Sequence, residues 1–454
     1  MENIVTQEIL ELIEQKKFGA VKQIIISMNG VDLAILFEEL PPEIWLKIFR
    51  LLPKELAADT FVELDSDLQE ALIKGFSDKE LKEVISELYA DDAVDIVEEM
   101  PANVVKRILK QADPEMRKDI NQLLKYPEDS AGSVMTTEFV DLKSHLTVEQ
   151  ALQNIRKTGI DKETVNTCYV TKNDRVLIGT VSLRTLIISG PNEEISELMD
   201  ANPISVTTDV DQETVAKTFK KYGLLAMPVV DTENRLVGIV TVDDVLEVMQ
   251  EEATEDIVKM AAIVPNDKTY FKTGVFETFK VRFPWLLLLM ISGTFTGLII
   301  SSFESRLTLF PALIAFIPML MGTAGNSGGQ SSVTVIRAIS LEEIHFKDIL
   351  KVIWKETRVA LLCGLILAVV NFLKIFLVDI SLFGSTATVI DNIIVCLTLL
   401  ITVVIAKCVG AFLPMLANKI GLDPAVMASP IITTAVDIIV LVIYFGLAAL
   451  LLGI

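Results

Sequence analysis

Hydrophobic and polar positions change their pattern twice along this chain. From the start to about position 130 the pattern reads as short amphipathic helices. They are broken at Leu40-Pro41, Leu52-Pro53, Leu64-Asp65, Phe76-Ser77, Met100-Pro101, Asp113-Pro114 and Tyr126-Pro127, mostly at a spacing of three helical turns. Each helix restarts on Pro, Asp or Ser. Short helices that cannot bury their faces alone predict a solenoid-like superhelix. From 131 to about 250 the pattern becomes βαβ-like, twice. The first copy has Ala131–Met135, a helix around 147–158 and strands at Thr167–Val170 and Val176–Ser182. The second has Leu198–Pro203, a helix around 212–222 and strands at Ala226–Val230 and Leu236–Thr241. Beyond about 279 the chain is dominated by five long apolar runs, near 283–303, 311–337, 353–378, 389–417 and 425–452. Each exceeds the roughly 20 residues that a helix needs to cross a bilayer.

Polar residues inside those runs are the informative ones. The last run holds one carboxylate, Asp437. On a helix starting at Asp423-Pro424, a rise of about 1.5 Å per residue puts it about 20 Å along the axis, near the midplane of a core about 30 Å thick. A charge there costs about 3 kcal/mol or more unless it meets water or a partner. Ser429, Thr433 and Asp437 are spaced i, i+4, i+8 and share one face, and Pro430 is expected to kink the helix. The second run carries Gly322-Thr-Ala-Gly-Asn-Ser-Gly-Gly-Gln-Ser-Ser-Val-Thr, too polar for a lipid-facing helix unless it packs on protein or lines a wet cavity. Asn326 falls near the expected depth of Asp437. The two readings are a cation pathway lined by these faces and close small-residue packing, and they are compatible. Lys374 and Lys407 are expected to snorkel from their run ends.

Charge sharpens the division. Residues 1–270 hold 51 acidic and 28 basic residues, a net of −23; residues 271–454 hold 10 and 12, a net of +2. That balance argues against nucleic acid and for cations as partners. Two acidic groups stand out. Asp91-Asp92-x-x-Asp95 precedes Glu98-Glu99, and Asp243-Asp244-x-x-Glu247 leads to Glu251-Glu252-x-x-Glu255-Asp256 in one helical register. Like charges at i, i+4 repel, and a divalent cation would reverse that sign; the alternative is a solvated face. The joint then turns basic, with Lys268, Lys272, Lys280 and Arg282. With Arg337, Lys347, Lys351, Lys355, Arg358 and Lys419, these lysines and arginines place the N-terminus and the 338–352 and 418–424 loops on the cytoplasmic side, and the C-terminus outside. Four cysteines and two histidines form no metal spacing, no signal peptide is expected, and no nucleophile–base pair or phosphate loop suggests an enzyme.

The duplicated unit resembles a tandem pair of cystathionine-β-synthase (CBS) domains. The second copy carries the G-h-h-T-x-x-D of that family as Gly238, Thr241 and Asp244. The first matches at Gly179 and Ser182 but has Thr185 where the acid stands. The resemblance implies an adenine nucleotide, with ATP as the candidate, on Thr241 and Asp244, or a regulatory pair without nucleotide. Domain order, with Gly325-Asn-Ser-Gly-Gly-Gln and Asp423-Pro…Pro430…Thr434…Asp437, resembles the MgtE family of magnesium channels and transporters over essentially the whole chain. It implies a multidomain fold: an all-α superhelical N-domain (1–130), α/β CBS domains (131–195 and 196–250), a connecting plug helix (251–278) and a five-helix transmembrane domain (279–454). It further implies a homodimer in the cell inner membrane, with one Mg²⁺ pore lined by Asp437, Asn326, Ser429 and Thr433. Regulatory Mg²⁺ would bind Asp91, Asp95, Asp243, Asp244, Glu247, Glu251, Glu252, Glu255 and Asp423. The readings left open are a proton-coupled divalent-cation carrier and a membrane-anchored nucleotide sensor that conducts nothing.

Overall fold

The structure is a computed structural model that describes residues 2–265, 270, 273–303, 311–381, 387–427 and 429–453. Lys268 and Lys272 lie outside the described residues. The chain divides into two compact units, Met1–Gln250 and Glu251–Ile454.

The first unit opens with ten short helices: α1 Glu2–Glu14, α2 Phe18–Ile26, α3 Gly30–Glu39, α4 Pro42–Phe49, α5 Lys54–Val62, α6 Ser66–Gly75, α7 Asp78–Ile85, α8 Ala90–Glu99, α9 Ala102–Gln111 and α10 Pro114–Leu123. Every expected break separates two helices or ends the series. Three further breaks, before Phe18, Gly30 and Ala90, were not expected. Local chemistry starts several of these helices. Ser77 and Glu80 form a reciprocal capping box for α7, and Asp113 accepts from the Glu115 and Met116 amides ahead of α10. Helices pack on their second neighbours, α3 on α5, α5 on α7, α7 on α9, and likewise α4 on α6 and α6 on α8. This is the stacking expected of a superhelix. Phe37, Phe49, Phe61 and Phe76 meet in its core with ring centroids 5.2–6.2 Å apart. The Arg107 guanidinium caps the end of α6 by donating to the Ile73 and Phe76 carbonyls.

Two small sheets follow. In the first, β1 (Asp141–Lys143) runs parallel to β2 (Thr167–Thr171), which pairs antiparallel with β3 (Leu177–Ser182). In the second, β4 (Val206–Thr207), β5 (Ala226–Val230) and β6 (Leu236–Thr241) repeat that order. Both carry the same register shift, between Val170/Thr171 and between Val229/Val230. Helix α11 (Val148–Thr158) starts on a Thr147–Gln150 capping box. Helices α12 (Leu183–Ile188), α13 (Ile195–Leu198) and α14 (Gln212–Tyr222) complete the pair. The two copies exchange edges: Thr136 bridges Ile239 of the second sheet, and Asp200 bridges Thr180 of the first. The motif glycines sit at these crossings. A Cβ on Gly238 would lie 2.7 Å from the Thr136 carbonyl, and one on Gly179 would lie 2.7 Å from the Asp200 carbonyl. Backbone approach therefore requires both glycines, independently of any ligand.

Helix α15 (Val242–Met260) grows directly out of β6 and ends at Met260, so the helix expected over 251–278 is shifted towards the N-terminus. The second unit then holds α16 (Val275–Ser302), the short α17 (Pro311–Ile314), α18 (Ile317–Ser340), α19 (Ile349–Lys374), α20 (Val389–Lys419) and α21 (Ser429–Leu452). The second apolar run is thus split between α17 and α18. Helices α16, α19, α20 and α21, the last taken with the turn before it, are long and apolar enough to cross a membrane; the glycines and hydroxyls of α18 keep it below that hydropathy. Helix α20 packs on α18, α19 and α21 and is the most buried of the four apolar ones. The last apolar run is not one helix. Pro424–Met427 form a 3₁₀ turn, and α21 starts afresh at Ser429. Pro430 therefore stands in the first helical turn, where its missing N–H costs nothing, and introduces no kink. Lys407 is only 6% exposed and does not snorkel, whereas Lys374 reaches Asp379 at 2.8 Å.

A Cβ on Gly410 of α20 would fall 2.2 Å from the Gly328 carbonyl of α18, whereas one on Gly446 of α21 meets nothing within 4 Å. Gly410→Ala is expected to cost about 1–3 kcal/mol by overpacking. It should lower the thermal midpoint of the detergent-solubilised protein, while Gly446→Ala does not lower it.

Candidate cation pathway and acidic sensor

Helices α18 and α21 pack because glycine lets them. A Cβ on Gly325 would lie 3.0 Å from Thr433 Cγ2, and one on Gly328 would lie 2.8 Å from Ile432 Cγ2. This glycine line faces inward. One residue on from Gly325, a second line of α18 points away from the bundle: Gly322, Asn326 and Gln330, at i, i+4 and i+8, are all exposed. Small-residue packing and a polar face thus occupy opposite sides of one helix. Thr433 and Asp437 follow one another by a turn on α21. With the helix starting at Ser429, Asp437 is eight residues in, about 12 Å from the helix start instead of the expected 20 Å. Asp437 is half-buried, and its Oδ1 is sealed from solvent without a hydrogen-bond partner among the described residues. A carboxylate oxygen in that condition calls for a cation, a proton or water. The Ser429 side chain lies outside the described residues.

A second polar node was not anticipated. Ser331 of α18, itself 1% exposed, lies 2.9 Å from Glu356 Oε2 of α19 and 2.9 Å from the Lys407 carbonyl of α20. Glu356 is 8% exposed. The only signal in the sequence is one acid three residues inside an apolar run, which is easily read as flanking charge.

In the first unit the acids of α8 meet those that begin α15. Asp91 is buried, its Oδ1 has no hydrogen-bond partner among the described residues, and burial followed by the charges of Asp92, Asp244 and Glu163 raises its carboxyl well above the ordinary range. Burial, then Asp244, brings Asp92 to about 7. Asp95 is exposed, and crowding by protein atoms, then the charges of Asp92, Asp244, Glu98 and Glu247, raises its carboxyl above the ordinary range. Glu163, from the first CBS copy, rises to about 8 through burial and the charges of Asp243, Asp244 and Asp92. Thus Asp91, Asp95, Asp243, Asp244 and Glu247 do come together, joined by Asp92 and Glu163, which sequence reasoning missed as site residues. Their spacing is electrostatic, since no three acids converge into a metal-ligating group among the described residues. Hydrated cations suit that spacing better than a bare ion.

Asp244 is also the acid of the nucleotide motif. Its Oδ2 accepts from Thr241 Oγ1 at 2.6 Å, an N-terminal contact at the start of α15. In the first copy Ser182 caps α12 by accepting from the Thr185 amide at 3.0 Å, and the two hydroxyls lie 2.8 Å apart. The second copy therefore presents a carboxylate where the first presents only hydroxyls. Further along α15, Glu251 and Glu252 lie in the second unit, and Glu255 does not stand alone. Lys259 Nζ is 2.6 Å from Glu255 Oε1 and 2.8 Å from Asp423 Oδ2.

Known proteins match every part of this arrangement. Residues 317–447 match a family model described as a divalent cation transporter, MgtE; residues 28–129 match the MgtE intracellular N domain; and residues 131–189 and 195–251 match the CBS domain. The magnesium transporter MgtE of Thermus thermophilus is 36% identical over 456 residues, covering 100% of this chain and 99% of that protein. The magnesium transporter MgtE of Bacillus subtilis is 33% identical over 440 residues, covering 97% and 96%. Among solved structures, the soluble part of a magnesium transporter covers 56% of this chain and 100% of its own, at 27% identity and a TM-score of 0.52. The cytosolic domain of the Mg²⁺ channel MgtE in complex with ATP covers 54% and 99%, at 35% identity and a TM-score of 0.51. With identities of 36% and 33% sustained from end to end, the chain belongs to the MgtE family.

Proposed function

We propose that this chain carries Mg²⁺ across a lipid bilayer, along a pathway lined by Asp437 and Thr433 of α21 and by the outward polar line of α18 at Asn326. One observation carries the reading: a carboxylate oxygen of Asp437 is buried without a partner among the described residues, in a helix apolar enough to span a membrane. The full-length identity to magnesium transporters supports the choice of ion. Mg²⁺ sheds its waters reluctantly and is usually held by one or two carboxylates plus water. A single acid and amides around a wet path can hold such an ion and still release it. A homodimer supports this chemistry, because the exposed Gly322–Asn326–Gln330 line of one copy then faces its twin and two copies of Asp437 share one hydrated ion. Lysine and arginine placement supports a cytoplasmic N-terminus and an external C-terminus in a multi-pass inner-membrane protein.

The acids Asp91, Asp95, Asp243, Asp244 and Glu247 form the cytosolic part of the Mg²⁺ sensor, with Glu251, Glu252, Glu255 and Asp423 as its continuation at the joint. Bound Mg²⁺ offsets their repulsion and favours a closed gate; loss of Mg²⁺ releases it. In this reading 1–130, 131–195 and 196–250 serve as sensor, 251–278 as joint and 279–454 as conductor. The Thr241–Asp244 pair, together with the relative solved with ATP, supports ATP at the second CBS copy. Two outcomes of the same assay would favour other readings: flux that requires a pH gradient, for a proton-coupled carrier, and no flux at all, for a nucleotide sensor.

Mg²⁺ flux into proteoliposomes tests the pathway: Asp437→Ala should fall to the level of protein-free liposomes while remaining folded. Joint neutralisation of Asp243, Glu247, Glu251 and Glu255 should leave a protein that conducts in high internal Mg²⁺; one that still closes there would overturn the sensor. A pH dependence follows from the raised carboxyls. Their folded values lie above the unfolded range near 4, so the stability they permit is full below about pH 4 and is lost as pH rises through 7 to 8. In EDTA, protease resistance of the first unit should therefore decline between about pH 5 and 8.5. Mg²⁺ should restore it at the alkaline end.

A further inference from the structure

Two carboxylates assigned above to the sensor, Glu255 and Asp423, already hold a cation: the ammonium of Lys259. Lys259 lies one turn after Glu255 on α15, so that pair follows from helical spacing. Asp423 is 164 positions further along the chain, in the turn that leads into α21. There its other oxygen, Oδ1, accepts from the Ala425 amide at 2.8 Å and fixes the Pro424–Met427 turn. One carboxylate thus joins the joint helix to the entrance of the helix that bears Asp437. The lysine is well placed for this. Its side chain is 22% exposed and that of Asp423 is 35%, so the pair is shielded more than an ordinary surface ion pair. Burial opposes the ammonium, but hydrogen bonds from it to Asp423 and Glu255 outweigh burial and hold its titration above the usual lysine range. Just past α15 the Val264 amide donates to the Val281 carbonyl at 3.2 Å, tying the end of the joint to α16.

We propose that Lys259 is a tethered cation that latches the joint helix to the Asp423 turn when no divalent ion is bound there, and that Mg²⁺ must displace it to occupy the same two acids. The latch rests on the Mg²⁺-gated reading above for its consequence, though not for its existence. An ammonium brings one charge to two carboxylates and a divalent ion brings two, so the two occupants exclude one another. The lysine therefore sets both the resting flux and the Mg²⁺ concentration at which closure becomes complete.

Flux into proteoliposomes, measured against internal Mg²⁺, reads both quantities. Lys259→Met keeps the length of the side chain and removes its charge. It is expected to raise flux at the lowest internal Mg²⁺ by about two- to fivefold, the range of one partly exposed ion pair, and to lower the half-blocking Mg²⁺ concentration by a similar factor. Lys259→Arg should keep wild-type values, and Lys259→Met should add nothing in an Asp423→Asn background. A Lys259→Met protein indistinguishable from wild type, or one whose effect persists unchanged with Asp423→Asn, overturns the latch. Hydrogen exchange on the intact protein in EDTA separates this from failure of the gating reading. The latch requires faster exchange at 255–265 and around Ala425 in Lys259→Met, even if wild-type flux proves insensitive to Mg²⁺; unchanged exchange overturns it.

Discussion

Carboxylates removed from water need positive charge, and this molecule is arranged around that need at three places. In the α8–α15 cluster several acids share a crowded region and push one another's protons on. At the joint one lysine is shared by two further acids, Glu255 and Asp423, and offsets half of their charge. In α21 a single acid has no compensation among the described residues of its own chain. Uncompensated burial of charge is unfavourable by several kcal/mol, so such sites persist where an external ion completes them. In the proposed reading one cation, drawn from solution, serves both the first and the third sites, and that shared ligand lets one report on the other.

Two kinds of packing keep these acids where they are. In the first unit, the stacked helices α1–α10 present the face of α8 towards the start of α15, which emerges from β6 with Thr241 and Asp244 at its head. In the second, Gly328 and Gly410 bring the backbones of α18 and α20 together, and Gly325 and Gly328 admit the Thr433 and Ile432 side chains of α21 against α18.

Much of this was legible in the residues. Breaks at Pro, Ser and Asp located the helices of the N-terminal superhelix, since those residue types start helices for local reasons. The CBS strands were found from their apolar runs, while the two- and three-residue β1 and β4 were too short to leave a pattern. The misplaced features have a common cause. Pro430 reads as an interior kink, Lys407 as a snorkelling chain and 251–278 as one helix because composition shows where apolar segments lie but not where a helix restarts or which way a side chain turns. Those depend on local turn chemistry, as at Asp423–Ala425, and on tertiary contacts, as at the Ser331–Glu356 node. Asp92 and Glu163 escaped for the same reason: nothing nearby in sequence brings them to Asp244.

The crossed edges of the two CBS copies have an architectural consequence. Since Thr136 completes the sheet of the second copy and Asp200 that of the first, neither repeat owns its full complement of strands. Loss of one would strip a hydrogen-bonding border from the other and expose raw backbone to solvent. The pair is thus indivisible in architecture, although its copies differ in chemistry at Thr185 and Asp244.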